Sequence, residues 1–546
     1  MSKQPLPIER LHPGWILTLV AFCLVVFSVQ LSHISGTMPY PAHFDEEFII
    51  GPAAKMVTTG NFDPGTLRKP SLPRYLATIG LAIGFIRSAK EEGSDRPNIQ
   101  QVFNQEPLPY YANLTVIETA KQLFAAISVI ALALTGVIAW RITRRPEAVI
   151  IAPVILVSSG LFFQSSWQYV NVDIVGTCFV VLTVASCLSM TTDSSLARSA
   201  VVPAVWAGLA AASKYTMGLV FLPVLVGIWM YQKGDRRVLF SGVALVTVCV
   251  SFLAAVPFAL LDLPAFLNGL AFEAWHYGVA GHQGNESEPG LTQFMNYVTH
   301  FTTEFGVGAA VLAMVGSVMV LRLDWRRGVL FLLFPILLLT LLVDQKVLFT
   351  RNALSIHPLY AVAISHGVLI LHGWCMRWLS RWRPRFDGLV GRVAVLLALL
   401  ALVLPVHRLV DHTVVKPDSR NLARDWILQN LPNGWTIVIP SKLGFDIRGL
   451  ADRDFLVEKV NITTVQDQQD MLASVEGPVV ALVPVWGVDT RREAPANPDA
   501  LNATTSGKRT LAEFGSNPVL TNYEYGTVWG DPRLLIVTDD VDIHVW

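Results

Sequence analysis

Residues 43–76 read HFDEEFIIGPAAKMVTTGNFDPGTLRKPSLPRYL, with three consecutive acids, Asp45, Glu46 and Glu47, at one end and Arg68, Lys69 and Arg74 at the other. A carboxylate set among cations suits group transfer. The acid takes the proton of an attacking hydroxyl while the bases hold an anionic leaving group. Pro70 and Pro73 restrict the backbone around Lys69. The same residues also have plainer uses. Acids suit the N-terminus of a helix, here expected over 48–58, and bases can touch lipid headgroups.

Four further segments carry comparable chemistry. SSWQYVNVDIVG contains Tyr169, Asn171 and Asp173, where an acid can orient a hydroxyl and Asn171 or Asp173 can cap the next helix. Lys214 and Tyr215 follow as a pair, with snorkelling to the interface as the alternative for the lysine. HYGVAGHQGNE holds His276, Tyr277, His282 and Glu286, which can orient a substrate or contribute to a divalent metal site. DQKVLFTRNALSIHPLY holds Lys346, Arg351 and Asn352. An arginine fork matches two phosphate oxygens at once, and a salt bridge to Asp344 or to the site carboxylates is the competing use.

These segments must be positioned by a membrane protein. The chain has 546 residues, of which 52% are hydrophobic and only 15% charged, against about 25% charged in soluble proteins. A span needs about 20 apolar residues. The apolar runs predict a mostly α, polytopic bundle of about 11 spans: 15–35, 123–140, 149–166, 174–190, 196–213, 217–231, 238–261, 305–321, 328–343, 353–371 and 393–407. The first is read as an uncleaved span rather than a removed signal.

Lysine and arginine orient the bundle. With Lys3 and Arg10 cytoplasmic, the inner connections hold Arg141, Arg144 and Arg145; Arg198; Lys233, Arg236 and Arg237; Arg322, Arg326 and Arg327; and Arg377, Arg381, Arg383 and Arg385. The outer connection 262–300 has no lysine or arginine. Counting the apolar stretch 75–86 as a span would move every later basic connection outside, so it is expected as an interfacial or re-entrant helix. The chemistry-bearing segments, including an outer loop at 36–116, then share the outer face.

After residue 410 the composition becomes that of a small soluble unit. Residues 411–546 predict an extracytoplasmic α/β domain, with a helix over 419–429 and strands at 435–439, 478–485 and 534–538. Residues 1–410 form the membrane domain. Net charge is zero, which argues against a nucleic-acid partner. The five cysteines show no paired spacing. No glycine-rich nucleotide loop appears.

Taken together the segments resemble the C-type glycosyltransferases (GT-C), in the branch of protein O-mannosyltransferases and aminoarabinose (lipid A) transferases. The matching features are Asp45-Glu46, KPSLPRYL from Lys69, Asp173, GLAAASKYTMG with Lys214, and RNALSIHPLY from Arg351, over roughly residues 15–407. Glu47, the polar stretch 87–113 and Ser355-Ile356-His357 depart from the pattern. The resemblance implies transfer of a sugar from a polyprenyl-phosphate donor to a glycan, lipid or protein acceptor, with inversion. It implies Asp45 as general base, with Glu46 and Asp173 beside it. Lys69, Arg68, Arg74, Lys214, Lys346 and Arg351 would hold the phosphate. Tyr169, Asn171, Tyr215, His276, His282 and Asn352 would orient substrate. No cofactor is required on this reading, although His276, His282 and Glu286 leave a divalent metal open. A bacterial inner membrane is the expected location, with the site and C-terminal domain extracytoplasmic. Competing readings are a lipid-linked oligosaccharide ligase or polymerase, a flippase or transporter, and a non-catalytic scaffold. A transporter would predict inverted repeats and mid-membrane charges; no repeat is evident.

Overall fold

The computed structural model describes residues 11–40, 43–91, 114–282, 285–382, 388–447, 449–462, 465–485, 508–515, 520–522, 527–529 and 533–539. Lys3, Arg10, most of the polar stretch 87–113, Arg383 and Arg385 lie outside them.

The first helix, α1 (Pro13–Thr37), starts with proline at its first position and the His12 ring accepting the Gly14 N–H at 3.1 Å. It ends just before Pro39. A short turn, Phe44–Glu46, leads into α2 (Glu47–Thr59), which is closed by Gly60 in the left-handed region at φ 69°. Helix α3 (Leu72–Glu91) covers the stretch expected to be interfacial. It packs along α4 (Leu114–Thr143). A Cβ on Gly80 or Gly84 would fall 2.7 Å from Ala120 Cα or 2.6 Å from Val116 Cα, so glycine lets the two helix backbones meet.

The bundle continues with α5 (Ala148–Val157), α6 (Gly160–Trp167), α7 (Val172–Cys187), α8 (Val202–Ser213), α9 (Phe221–Tyr231) and α10 (Asp235–Ala255). A single turn, α11 (Phe258–Leu261), precedes α12 (Leu263–Trp275). Then come α13 (Leu291–Phe305), α14 (Val307–Leu323), α15 (Trp325–Val343), the 3-10 segment Thr350–Ile356, α16 (His357–Trp382), α17 (Leu389–Val403) and α18 (Val406–Asp411).

Among the described residues five helical stretches are long and apolar enough to cross a membrane, and α3 is not one of them. The count becomes seven if two bent pairs, α5–α6 at 79° and α13–α14 at 106°, are each one span. Residues 172–187, 215–231 and 389–403 form shorter apolar helices. The difference from about 11 lies in these short helices and in divided runs: 149–166 bends at Ser158–Ser159, and 196–213 is split between a π-helical turn, Ala197–Val201, and α8.

Beyond α18 lie α19 (Ser419–Asn430), α20 (Val465–Ala473) and strands β1 (Thr436–Pro440), β2 (Leu456–Val460), β3 (Val479–Val485), β4 (Arg509–Phe514), β5 (Leu520–Asn522), β6 (Thr527–Trp529) and β7 (Arg533–Thr538). The main sheet has order β2-β1-β3-β7-β4; β1 is parallel to β2 and β3, and β7 is antiparallel to β3 and β4. Strand alternation builds two cores. Ile437, Ile439, Val480, Leu482, Leu534 and Ile536 pack with Ala423 and Ile427 of α19. Val438, Ala481, Val483 and Val537 pack with Met471 and Leu472 of α20.

This unit is tied to the end of α1. The Arg420 guanidinium sits 3.7 Å over the Tyr40 ring, Asn421 Nδ2 donates to Met38 O at 2.8 Å, and the Asp446 N–H donates to Tyr40 Oη at 3.2 Å. Tyr40 and Arg420 are both buried.

Candidate active site

Asp45 lies in the turn between α1 and α2, with its carboxylate shared between two cations. Lys69 Nζ approaches Oδ1 at 3.0 Å and Arg351 Nη2 approaches Oδ2 at 2.8 Å. Arg351 also donates from Nη1 to His43 Nε2 at 2.9 Å. The His43 ring stacks on Tyr169, centroids 4.7 Å apart. Residues 300 positions apart in sequence therefore meet around one carboxylate. Burial pushes the Asp45 carboxyl up, but the Arg351 guanidinium and then the Lys69 ammonium hold it well below the usual carboxylate range. Burial, then Arg351, depresses His43 to about 3, so the ring is neutral at pH 7.

A second pair adjoins the first. Lys214 Nζ lies 2.6 Å from Asp173 Oδ1 and 2.6 Å from Asn352 Oδ1. Asp173 sits in the first turn of α7, Lys214 just past the end of α8, and Asn352 beside Arg351 in the 3-10 segment. Burial pulls the Lys214 ammonium down, and Asp173 opposes the shift.

Several expected residues serve the frame around this centre. Glu46 is fully buried, accepting the Val170 N–H at 3.0 Å and lying 3.5 Å from Lys121 Nζ. Asn171 caps α7, its Oδ1 accepting the Ile174 N–H at 2.8 Å. Arg74 is buried and donates to the carbonyls of Phe48 at 3.2 Å and Thr66 at 2.6 Å, which fixes the 66–69 loop. Tyr215 Oη donates to Leu67 O at 2.7 Å and braces the same loop. Arg68 is exposed, its guanidinium 3.7 Å over the Phe272 ring.

The remaining expected residues make other contacts. Lys346 is paired with Glu286 at 3.8 Å, both half-exposed. His276 and His282 are in edge contact, centroids 5.3 Å apart, and His282 lies 5.1 Å from Phe349. Among the described residues no group of three or more His, Cys, Asp and Glu side chains is placed to hold a metal ion.

The sequence reading did not single out three groups. His43 joins the Arg351 network, and only its place beside the acids hinted at this. Lys121 stands in α4 one turn after Glu118 and just before the charge-free run 123–140, and a charge at the edge of such a run is the signal that could have found it. Glu273, on α12, lies within electrostatic reach of Lys69, Lys214 and Arg68, and burial raises its carboxyl.

From Tyr215, the residue after Lys214, an apolar furrow of about 500 Å³ runs between Tyr215, Leu219 and Leu222 on one side and Leu341 on the other. It is continuous through Leu219 and Leu341 with a second furrow reaching Leu337 and Asp344.

Comparison of the whole chain with solved structures decides the architecture. ArnT from Cupriavidus metallidurans bound to undecaprenyl phosphate matches over 97% of this chain and 99% of that one, with 14% identity and a TM-score of 0.52. The fold is GT-C. The apo form of the same ArnT matches over the same shares with a TM-score of 0.50. The oligosaccharyltransferase of Archaeoglobus fulgidus covers 86% of this chain and 69% of its own, at 13% identity and TM-score 0.44. Residues 114–260 match the family model described as dolichyl-phosphate-mannose-protein mannosyltransferase. No curated protein sequence matches. The chain is thus an integral membrane protein with a GT-C fold, and it is similar to membrane glycosyltransferases in that fold and in one family segment. The matched segment 114–260 holds Asp173 and Lys214 but not Asp45, Lys69 or Arg351, which reach the site from either side of it.

Proposed function

We propose that this chain transfers a sugar from a polyprenyl-phosphate carrier to a hydroxyl acceptor on the outer face of the membrane. The observation that carries the reading is the Asp45 carboxylate bridging Lys69 and Arg351, with an apolar furrow opening at Tyr215, whose hydroxyl braces the 66–69 loop. The ArnT structure with undecaprenyl phosphate bound supports the choice of carrier class.

On this reading the acceptor oxygen attacks the anomeric carbon as the bond from that carbon to the phosphate oxygen breaks. The phosphate leaves with the bonding electrons, and Asp45 takes the hydroxyl proton. Attack opposite the leaving group inverts the anomeric carbon. Lys69 and Arg351 take the growing negative charge on the phosphate, with Lys214 close by. The furrow carries the first isoprene units of the tail. Asp173, fixed by Lys214, faces sugar or acceptor hydroxyls. No step calls for a metal.

The resting geometry adds a condition. Asp45 engaged by two cations is a weak base, because both of its oxygens are already satisfied. The donor phosphate competes for the same two cations. As it draws Lys69 and Arg351 away, Asp45 gains basicity and a free oxygen for the acceptor. The sugar donor therefore arms the base.

A bacterial inner membrane with the N-terminus cytoplasmic fits the distribution of basic residues, and residues 411–546 then form an outer domain placed to meet the acceptor. The test is transfer by the purified full chain in lipid nanodiscs supplied with polyprenyl-phosphate sugars and envelope glycan, lipid and protein acceptors. Release of polyprenyl phosphate coupled to acceptor glycosylation supports the reading. Movement of the carrier between leaflets without transfer overturns it in favour of a flippase.

A further inference from the structure

Directly behind Asp45 lies a charge pair that the transfer chemistry does not use. Lys121, on α4, and Glu46, next to Asp45, are both 0% exposed, with Nζ and Oε2 3.5 Å apart. Lys121 Nζ also donates to Gln168 O at 3.0 Å, and Glu46 Oε1 accepts from the Val170 N–H at 3.0 Å. Gln168 and Val170 flank Tyr169, whose ring stacks on His43. One pair therefore grips both walls of the pocket: the turn that carries Asp45 and the turn that carries Tyr169. Gly80 brings α3 close against α4 at Ala120, one residue before Lys121, and Gly84 does so at Val116, which stiffens the helix that presents Lys121.

The pair is poorly built for stability. Beyond Lys121 at 3.5 Å, Glu46 Oε2 has no hydrogen-bond partner among the described residues. Removing two charges from water is costly, and a buried pair recovers that cost only with close geometry and full hydrogen bonding. Replacing both charges with neutral groups of similar shape is often neutral or stabilising. A pair kept in such a place needs another reason, and its contacts supply one.

We propose that Lys121 is a positioning residue for Asp45, using Glu46 and the 168–170 turn to hold the base and the Tyr169–His43 wall in register. This rests on the reading of Asp45 as the general base.

The test compares the full chain with Lys121→Met/Glu46→Gln, in which the glutamine keeps an acceptor for the Val170 N–H. Turnover on a polyprenyl-phosphate sugar, KM for that donor, affinity for polyprenyl phosphate and Tm are measured together. The double variant is expected to keep or raise its Tm and to hold donor KM and polyprenyl phosphate affinity within about twofold. Its kcat is expected to fall on the order of 10- to 100-fold, the scale of a small misplacement of a reacting group. Lys121→Met alone, which strands the Glu46 carboxylate, is expected to lower Tm as well. If the double variant turns over at the wild-type rate, the positioning role is overturned. It is equally overturned if kcat falls only in step with a lost Tm, because that marks a merely structural pair. A wild-type chain with no turnover on any lipid-linked sugar overturns instead the enzyme reading beneath it.

Discussion

Two of the polar clusters among the described residues of this bundle are built differently. The first joins Asp45, Lys69 and Arg351 to Asp173, Lys214 and Asn352. The second lies where α5–α6 and α13–α14 bend. There Ser159 Oγ donates to Glu304 Oε2 at 2.8 Å and meets His357 Nδ1 at 2.9 Å, His357 Nε2 meets His300 Nε2 at 3.0 Å, and Arg408 approaches Glu304 at 3.6 Å. In the second cluster the partners are also helix parts: Glu304 takes the Leu161 N–H at 3.0 Å and Arg408 donates to the carbonyls of Glu304 and Thr303. Those groups close the broken helix ends. In the first cluster the charges meet one another, and two cations converge on one acid. Such an arrangement can exchange partners when an anion arrives, whereas the second can only lose them. Polarity inside a bundle is thus not itself a sign of chemistry; what the groups are bonded to decides.

The largest expected effect separates the two clusters by their acids. Asp45→Asn is expected to cut kcat on the order of 10²–10⁴-fold, the usual weight of a general base, with the protein still folded and inserted by gel filtration and Tm. Full turnover in that variant would remove Asp45 from the mechanism. Next comes Arg351→Lys, which keeps the charge but loses the fork. Donor kcat/KM is expected to fall by roughly 10- to 100-fold, mostly through KM, since ground-state phosphate binding is what the second contact supplies. An unchanged donor KM would place the phosphate elsewhere.

That distinction also marks what the sequence could disclose. The strands at 435–439, 478–485 and 534–538 and the helix at 419–429 are found within a residue or so of where alternation and amphipathicity put them, because those patterns are local. Strands β2 and β4 carry exposed, polar residues and left no such pattern. The helix break at Ser158–Ser159 was hidden inside an apolar run, whereas the one at Gly306 falls at the start of the expected span 305–321. In the site, residue type and spacing brought out Asp45, Lys69, Asp173, Lys214 and Arg351, since charge at the end of an apolar run is conspicuous. Their pairing was legible only in part: a salt bridge from Arg351 to the site carboxylates was one open use, but nothing local says that Lys69 joins it at Asp45 while Arg74 is spent on two carbonyls. The separation of Asp45 from Glu46, adjacent acids turned to opposite environments, is a tertiary fact.

Smaller in activity, and therefore sharper for the comparison, is Glu304→Gln. Glutamine keeps the size and an acceptor oxygen but gives up the charge facing Arg408. Turnover is expected to stay within about twofold of wild type. Stability is expected to drop by about 1–3 kcal/mol, the scale of a weakened buried hydrogen-bonded group, read as a lower denaturation midpoint. A selective loss of kcat with stability intact would show that the second cluster is coupled to the first, and the contrast between them would fail.

The smallest effect is in the response to acid. His43 is neutral when folded, at about 3, against about 6.5 when unfolded. Between those values the unfolded chain binds a proton that the folded chain refuses, so stability falls as pH drops through this window. Asp45 acts in the same direction lower down: its folded carboxyl is depressed, and the stability it contributes is lost below about 3.9 as the acid is protonated. His412, lowered to about 4 by burial and then His33, shares part of the His43 window. His43→Gln removes only the His43 share. The slope of unfolding free energy between pH 6 and 4.5 is expected to become shallower by at most ~1.4 kcal/mol per pH unit, one proton's worth. Measured in one detergent across that range, an unchanged slope would mean that His43 is protonated in the folded site. Arg351 could not then donate to its ring, and the cation now shared between His43 and Asp45 would belong to Asp45 alone.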